Sequence, residues 1–139
     1  MQIVSQNSSA YVLRFDMGEE LITGLKEFCQ QYQITGAWIS GLGSSDHVVL
    51  AYYNLHTKVY EDHVISERLE VTALTGNVSR MKSDTVIHLH GVLGGQDLVA
   101  KTGHIKKLIV SATCEILLTL LPGGLKRAHD SAVGLNILK

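Results

Sequence analysis

Cysteine, proline, surplus charge and long apolar runs are all scarce in this 139-residue chain. The 2 cysteines, Cys29 and Cys114, lie far apart and form no CxxC pair. This excludes a disulfide framework and a cysteine-ligated zinc site. Cys29 falls on the apolar face of an expected helix, where a thiol is buried and inert. Lys and Arg total 12 against 13 Asp and Glu, a formal net charge of -1. That balance speaks against a strongly basic nucleic-acid coat or a polybasic membrane binder. The longest apolar run, Ile116–Leu121 interrupted by Thr119, is too short to span a bilayer. The start, MQIVSQNSSAYVLRF, has neither a basic region nor a long apolar stretch, so no secretory leader is expected and the chain reads as cytoplasmic. With 45% hydrophobic and 18% charged residues, there is enough apolar material for the core of one globular domain.

Residues 11–15 alternate like a strand. Asp16, followed by Glu19 three positions on, resembles a capping box. Leu21, Ile22, Leu25, Phe28, Cys29 and Tyr32 then recur at three- and four-residue steps, predicting a helix over 19–32 with one apolar stripe. Gly24 within it costs roughly 1 kcal/mol relative to Ala, which close packing against a sheet would explain. The rest reads as strand: 37–40, a Gly41-Leu42-Gly43 turn, 48–55, 58–65, 69–79 with Gly76 as a bulge, 85–93, a turn at 94–97, 99–107, 113–121 and 134–138. One helix cannot cover both faces of so many strands. Val86, Ile87, Leu89 and Val92 show that several are apolar on both sides. Sheet curling or a second subunit must cover the remainder, so homo-oligomerisation is expected.

The sharpest chemical feature is His88-Leu89-His90. In a strand, residues i and i+2 share a face with Cα atoms about 6.5–7 Å apart, and two imidazoles at that spacing can converge on one zinc ion. His104 lies beyond the 94–97 turn, where the returning strand runs alongside, and supplies a third candidate ligand. A three-histidine set leaves one coordination position for water or substrate. With 7 histidines in the chain, one HxH pair also arises by chance. His47, His56 and His63 lie at polar strand edges and His129 in a charged loop, all reading as solvated groups. Ser40-Gly41-Leu42-Gly43-Ser44 is followed by a strand rather than a helix, so it reads as a tight turn and not as a phosphate cradle. Cys114 and His104 make a poor nucleophile–base pair. Arg80 with Lys82, Lys101 with Lys106 and Lys107, and Lys126 with Arg127 are scattered cation pairs that read as solvated surface.

The segments YVLRF-DMGEEL (11–21), AWISGLGSSDHVVLAYY (37–53), ERLEVTALTGNVS (67–79), IHLHGVL (87–93), TGHI (102–105) and KRAHDSAVGLNIL (126–138) together resemble the PPC domain, conserved in plants and prokaryotes. The resemblance implies an N-terminal segment at 1–10 and a single domain at 11–139. It implies an α+β fold, one helix packed on a mixed, mainly antiparallel curled sheet, assembled as a homotrimer. It also implies a zinc or other divalent transition-metal site on the HxH pair and a later GGH histidine, here His88, His90 and His104. Thr102 stands where the first glycine of that GGH is expected. Plant relatives add an Arg-Gly-Arg-Pro AT-hook, which this sequence lacks, so direct DNA binding loses its usual carrier.

Two classes of function follow. One is a metal-binding trimer in a regulatory or interaction role, associated with DNA through a partner. The other is a zinc-dependent lyase or hydrolase, or a sensor, acting on a small oxygenated metabolite. Catalytic residues are unassigned; Arg68, Glu70, Arg80 and Glu115 are candidate charged helpers without ranking, and a surface ion pair or solvated group is the better reading of each. A fold-level analogy to acetolactate decarboxylase, whose zinc is held by three histidines, carries little weight for activity.

Overall fold

The computed structural model describes all residues, Met1–Lys139. In chain order the elements are β1 (Gln2–Gln6), β2 (Ala10–Asp16), α1 (Leu21–Gln31), β3 (Ala37–Asn54), β4 (Val59–Ile65), β5 (Leu69–Met81), β6 (Asp84–Gly94), β7 (Ala100–Leu120), β8 (Arg127–Asp130) and β9 (Leu135–Leu138). Seven strands form one sheet in the order β1-β2-β7-β6-β5-β3-β4, and β7 also pairs with β3. That extra pairing closes β3, β5, β6 and β7 into a circuit, so the sheet curls on itself. Every strand pairing is antiparallel. Parallel contact is confined to a single bridge between Arg80 and Lys126, which corrects the expectation of a mixed sheet. Residues 1–10, read as a segment ahead of the domain, contain β1, which pairs with β2.

The helix forms where its apolar stripe demands, but it starts later than the Asp16 signal implied. Glu20 is the N-cap, its carboxylate accepting from the Ile22 and Thr23 amides and from the Leu108 amide on β7. The Asp16 amide donates to Glu19 Oε2 at 2.7 Å, closing the β2-to-helix turn rather than capping the helix. Leu21, Leu25, Phe28 and Cys29 are the buried stripe. A Cβ at Gly24 would come within 2.5 Å of the Phe15 ring, so the glycine lets α1 lie directly on β2. These side chains join a cluster of 23 buried apolar residues between helix and sheet, each large one contributing on the order of 1.5–3 kcal/mol.

One expected turn is absent, and two strands expected as separate are one. Gly41-Leu42-Gly43 lies inside the continuous strand β3, at a register shift between Gly41 and Gly43. Side chains there would strike β7: a Cβ at Gly41 would meet the Glu115 carbonyl oxygen at 2.6 Å, and one at Gly43 the Cα of Cys114 at 2.6 Å. The glycines thus bend the strand and admit its neighbour. The stretch between Lys107 and Thr113 likewise continues as β7, an unbroken 21-residue strand. In β5 the bulge falls between Val71 and Ala73, whereas Gly76 pairs in register with Leu89.

Because the pleat alternates, Leu89 and Leu93 of β6 enter the core while His88 and His90 face away from it. Over that opposite side the chain folds back after Pro122-Gly123-Gly124 as the β8–β9 hairpin. Hydrogen bonds from Arg80 N to the Leu125 carbonyl (2.8 Å), from Tyr53 Oη to the Val133 carbonyl (2.8 Å) and from Lys58 Nζ to the Ser131 carbonyl (2.8 Å) hold it there. No helix is long and apolar enough to cross a membrane.

Candidate metal centre

The three sequence-predicted ligands come together. His90 pairs directly with His104 across β6 and β7, a register that places side chains about 4.5–5.5 Å apart at Cβ. His88 sits two residues earlier on the same face. Ring centroids are 5.1 Å apart for His88–His90, 5.2 Å for His88–His104 and 5.4 Å for His90–His104. One ligand nitrogen from each ring lies within 4.8 Å of the others. His88 Nε2 and His90 Nε2 are 3.2 Å apart, close to the separation of about 3.4 Å between two nitrogens on one tetrahedral zinc.

His88 and His104 are held neutral, the protonation state that a metal ligand needs. Burial lowers the His88 pKa to about 4, assisted by the Arg127, His104 and His90 charges. Burial likewise lowers that of His104 to about 4, with His90, Lys106 and Arg127 adding to the effect and Asp62 opposing it. Both rings therefore present lone pairs at neutral pH. His104 Nδ1 is buried without a hydrogen-bond partner, an arrangement that costs about 1–3 kcal/mol unless something satisfies the atom. An all-nitrogen, borderline-soft donor set of this size fits zinc or a similar transition ion.

The surroundings orient the rings. Tyr60 of β4 stacks on His104 at 5.2 Å between centroids, and Lys106 Nζ both pairs with Asp62 at 2.6 Å and lies 5.2 Å over the Tyr60 ring. Thr102, the departure from GGH, lies within β7, and its hydroxyl donates to the Gly91 carbonyl at 2.9 Å. It ties β7 to β6 beside His104.

The sequence profile of the Plants and Prokaryotes Conserved (PCC) domain matches residues 2–122. The chain belongs to this family. Among solved structures, the PPC chain is similar to a candidate DNA-binding protein from Bacteroides thetaiotaomicron, with 28% identity, a TM-score of 0.93 and coverage of 97% of this chain and 94% of that one. It is similar to a PPC protein of Pyrococcus horikoshii at 28% identity and TM-score 0.86, covering 94% and 90%. A metal-containing protein from Archaeoglobus fulgidus matches at 30% identity and TM-score 0.87, covering 100% and 99%. No curated protein sequence matches this PPC chain.

Other sequence candidates fall elsewhere. Cys29 and Cys114 are buried, and burial pushes both thiols up to about 12, so neither is a thiolate nucleophile at neutral pH. Arg68 and Glu70 line a groove with Gly94 and Gly95. Glu115 lies beside Leu42 and Leu117, and Arg80 donates to the Thr85 hydroxyl at 3.0 Å. None of the four belongs to the histidine cluster.

The residue that sequence reasoning missed is Arg127, read as a solvated cation. Its guanidinium is half-buried in a polar network. Nε donates to the Ser79 hydroxyl at 2.8 Å and Nη1 to the Asn136 carbonyl at 2.7 Å. Nη2 donates to Asn77 Oδ1 at 2.9 Å and reaches His88 Nδ1 at 3.0 Å. Asn77 and Ser79 are themselves buried, and two buried acceptors one pleat apart on β5 are the signal that a donor must arrive from elsewhere.

Proposed function

We propose that this PPC-domain chain is a cytoplasmic homotrimer that holds one divalent transition metal, zinc or a chemically similar ion, on His88, His90 and His104, in a regulatory or interaction role associated with DNA. The convergence of three ligand nitrogens within 4.8 Å carries the metal reading. The metal-containing Archaeoglobus fulgidus relative, alike over its whole length, supports it. Trimerisation is supported by the uncovered apolar side chains Trp38 and Leu42 on β3 and Leu117 on β7, which are 49%, 55% and 40% exposed on the sheet side away from α1. The DNA association is supported by the candidate DNA-binding relative from Bacteroides thetaiotaomicron. With a net charge of -1, the association runs in this proposal through a partner rather than through the chain's own surface.

A second reading, a zinc-dependent lyase or hydrolase or a sensor for a small oxygenated metabolite, is favoured by the same donor set. Three imidazoles leave a position at which a bound ion would polarise a carbonyl or activate water.

The deciding experiment is elemental analysis of untagged protein purified without chelator, beside a His88→Ala/His90→Ala control, with sedimentation of both. The proposal expects about one ion per chain, lost in the control, and a trimer in both samples. Absence of metal with no uptake on titration would remove the site, and a monomer at micromolar concentration would remove the assembly. A salt-sensitive shift of AT-rich duplex by the isolated chain would replace partner-mediated association with direct binding.

A further inference from the structure

We propose that Arg127 and a metal ion compete for His88, so that metal uptake loosens the C-terminal hairpin on the sheet; the inference rests on the metal reading above. Its basis is the inventory of donors and acceptors. A guanidinium has only N–H donors and no acceptor. With Arg127 Nη2 3.0 Å from His88 Nδ1, that ring nitrogen accepts, and the single proton of the neutral imidazole sits on Nε2. The proton has a partner there, since His88 Nε2 lies 3.2 Å from His90 Nε2. Arg127, His88 and His90 therefore form a closed hydrogen-bond chain in which the candidate ligand atom of His88 is occupied by hydrogen.

Coordination demands the opposite arrangement. A nitrogen that binds a metal must offer its lone pair, and the other ring nitrogen then carries the proton and seeks an acceptor. For His88 this moves the proton to Nδ1, where it confronts Arg127 donor against donor. The contact cannot survive that exchange. The displaced side chain is also one of the pins of the hairpin, beside the bonds from Arg80, Tyr53 and Lys58, because its Nη1 holds the Asn136 carbonyl of β9 while its Nε and Nη2 hold Ser79 and Asn77 of β5. By linkage, whatever docks the hairpin weakens metal binding, and metal weakens docking by the same factor.

The test compares the full chain with Arg127→Gln and Arg127→Lys, each metal-free and zinc-loaded. Gln supplies an amide oxygen that can accept from His88 Nδ1–H and an amide that can donate to Asn77, whereas Lys remains donor-only. Imidazole 15N shifts should place the His88 proton on Nε2 in the metal-free chain and on Nδ1 after zinc loading. Competition titration should show Arg127→Gln binding zinc at least about tenfold more tightly than the parent, with Arg127→Lys close to the parent. Zinc loading should speed amide exchange over residues 127–138 in the parent and leave it unchanged in Arg127→Gln.

A metal-free parent with the proton on His88 Nδ1 overturns the inference, as does zinc uptake without a change in tautomer or hairpin exchange. A parent that takes up no zinc overturns the metal reading and the competition together, and the two failures are thereby distinguished. Should Arg127→Gln fold poorly, the tautomer and exchange measurements on the parent alone decide.

Discussion

On the helix side of the sheet, Leu13, Phe15, Leu25, Phe28, Leu89 and Leu118 are buried in one continuous apolar cluster. On the opposite side, His88, His90, Asn77 and Ser79 form a polar network with Arg127 of the β8–β9 hairpin, with His104 packed beside it, while Trp38 and Leu42 stand uncovered. Both sides come from the same strands, alternating residue by residue, and Leu89 between His88 and His90 is the plainest case. The helix side is held by burial, which is non-directional and tolerates no lost volume. The hairpin side is held by directional bonds whose partners must match donor to acceptor. Stability and chemistry are thereby separated within single strands.

The separation can be broken experimentally. The largest effect is expected at the site: His104→Ala should take metal content from about one ion per chain to near none after dialysis. It should change urea stability of the metal-free chain by less than about 1 kcal/mol, because the variant also removes a buried nitrogen without a partner. A collapse of the fold would show that the two sides are not independent. Next in size, Leu89→Ala on the helix side should cost about 2–5 kcal/mol, read as a lower urea midpoint at constant slope, while metal content under native conditions stays that of the parent. Gly24→Ala should destabilise by about 1–3 kcal/mol despite its better helix propensity, because the added methyl meets the Phe15 ring. A more stable variant would mean that α1 can slide on β2.

The smallest effect concerns pH and the hairpin. Bonds from the Val133 and Ala132 amides hold the Asp130 carboxyl below its ordinary value of 3.8. A lowered folded-state pKa stabilises the turn above that ordinary value, and the contribution is lost as pH falls through the folded-state value. Amide protection at residues 132–134 should therefore drop on acidification below about pH 3.8, and Asp130→Asn should flatten this response.

Much of this was legible in the residues. The apolar stripe of α1, the strand alternation and the shared face of His88 and His90 are local consequences of periods of 3.6 and 2 residues. His104 was legible because a short turn returns β7 beside β6. The continuity of β3 through Gly41-Leu42-Gly43 was not, since glycine pairs signal turns as readily as bulges. The choice depended on how closely β7 approaches. Arg127 was invisible for a related reason: it lies 39 positions from His88 in sequence, and no periodicity links them.

The sequence by itself determined which residues share a face, because backbone geometry repeats over a few residues whatever the rest of the chain does. Only the tertiary structure decided which faces meet. Register between distant strands, the closed circuit of β3, β5, β6 and β7, and the docking of the C-terminal hairpin on the histidines are set by packing and hydrogen-bond matching between segments far apart in the chain.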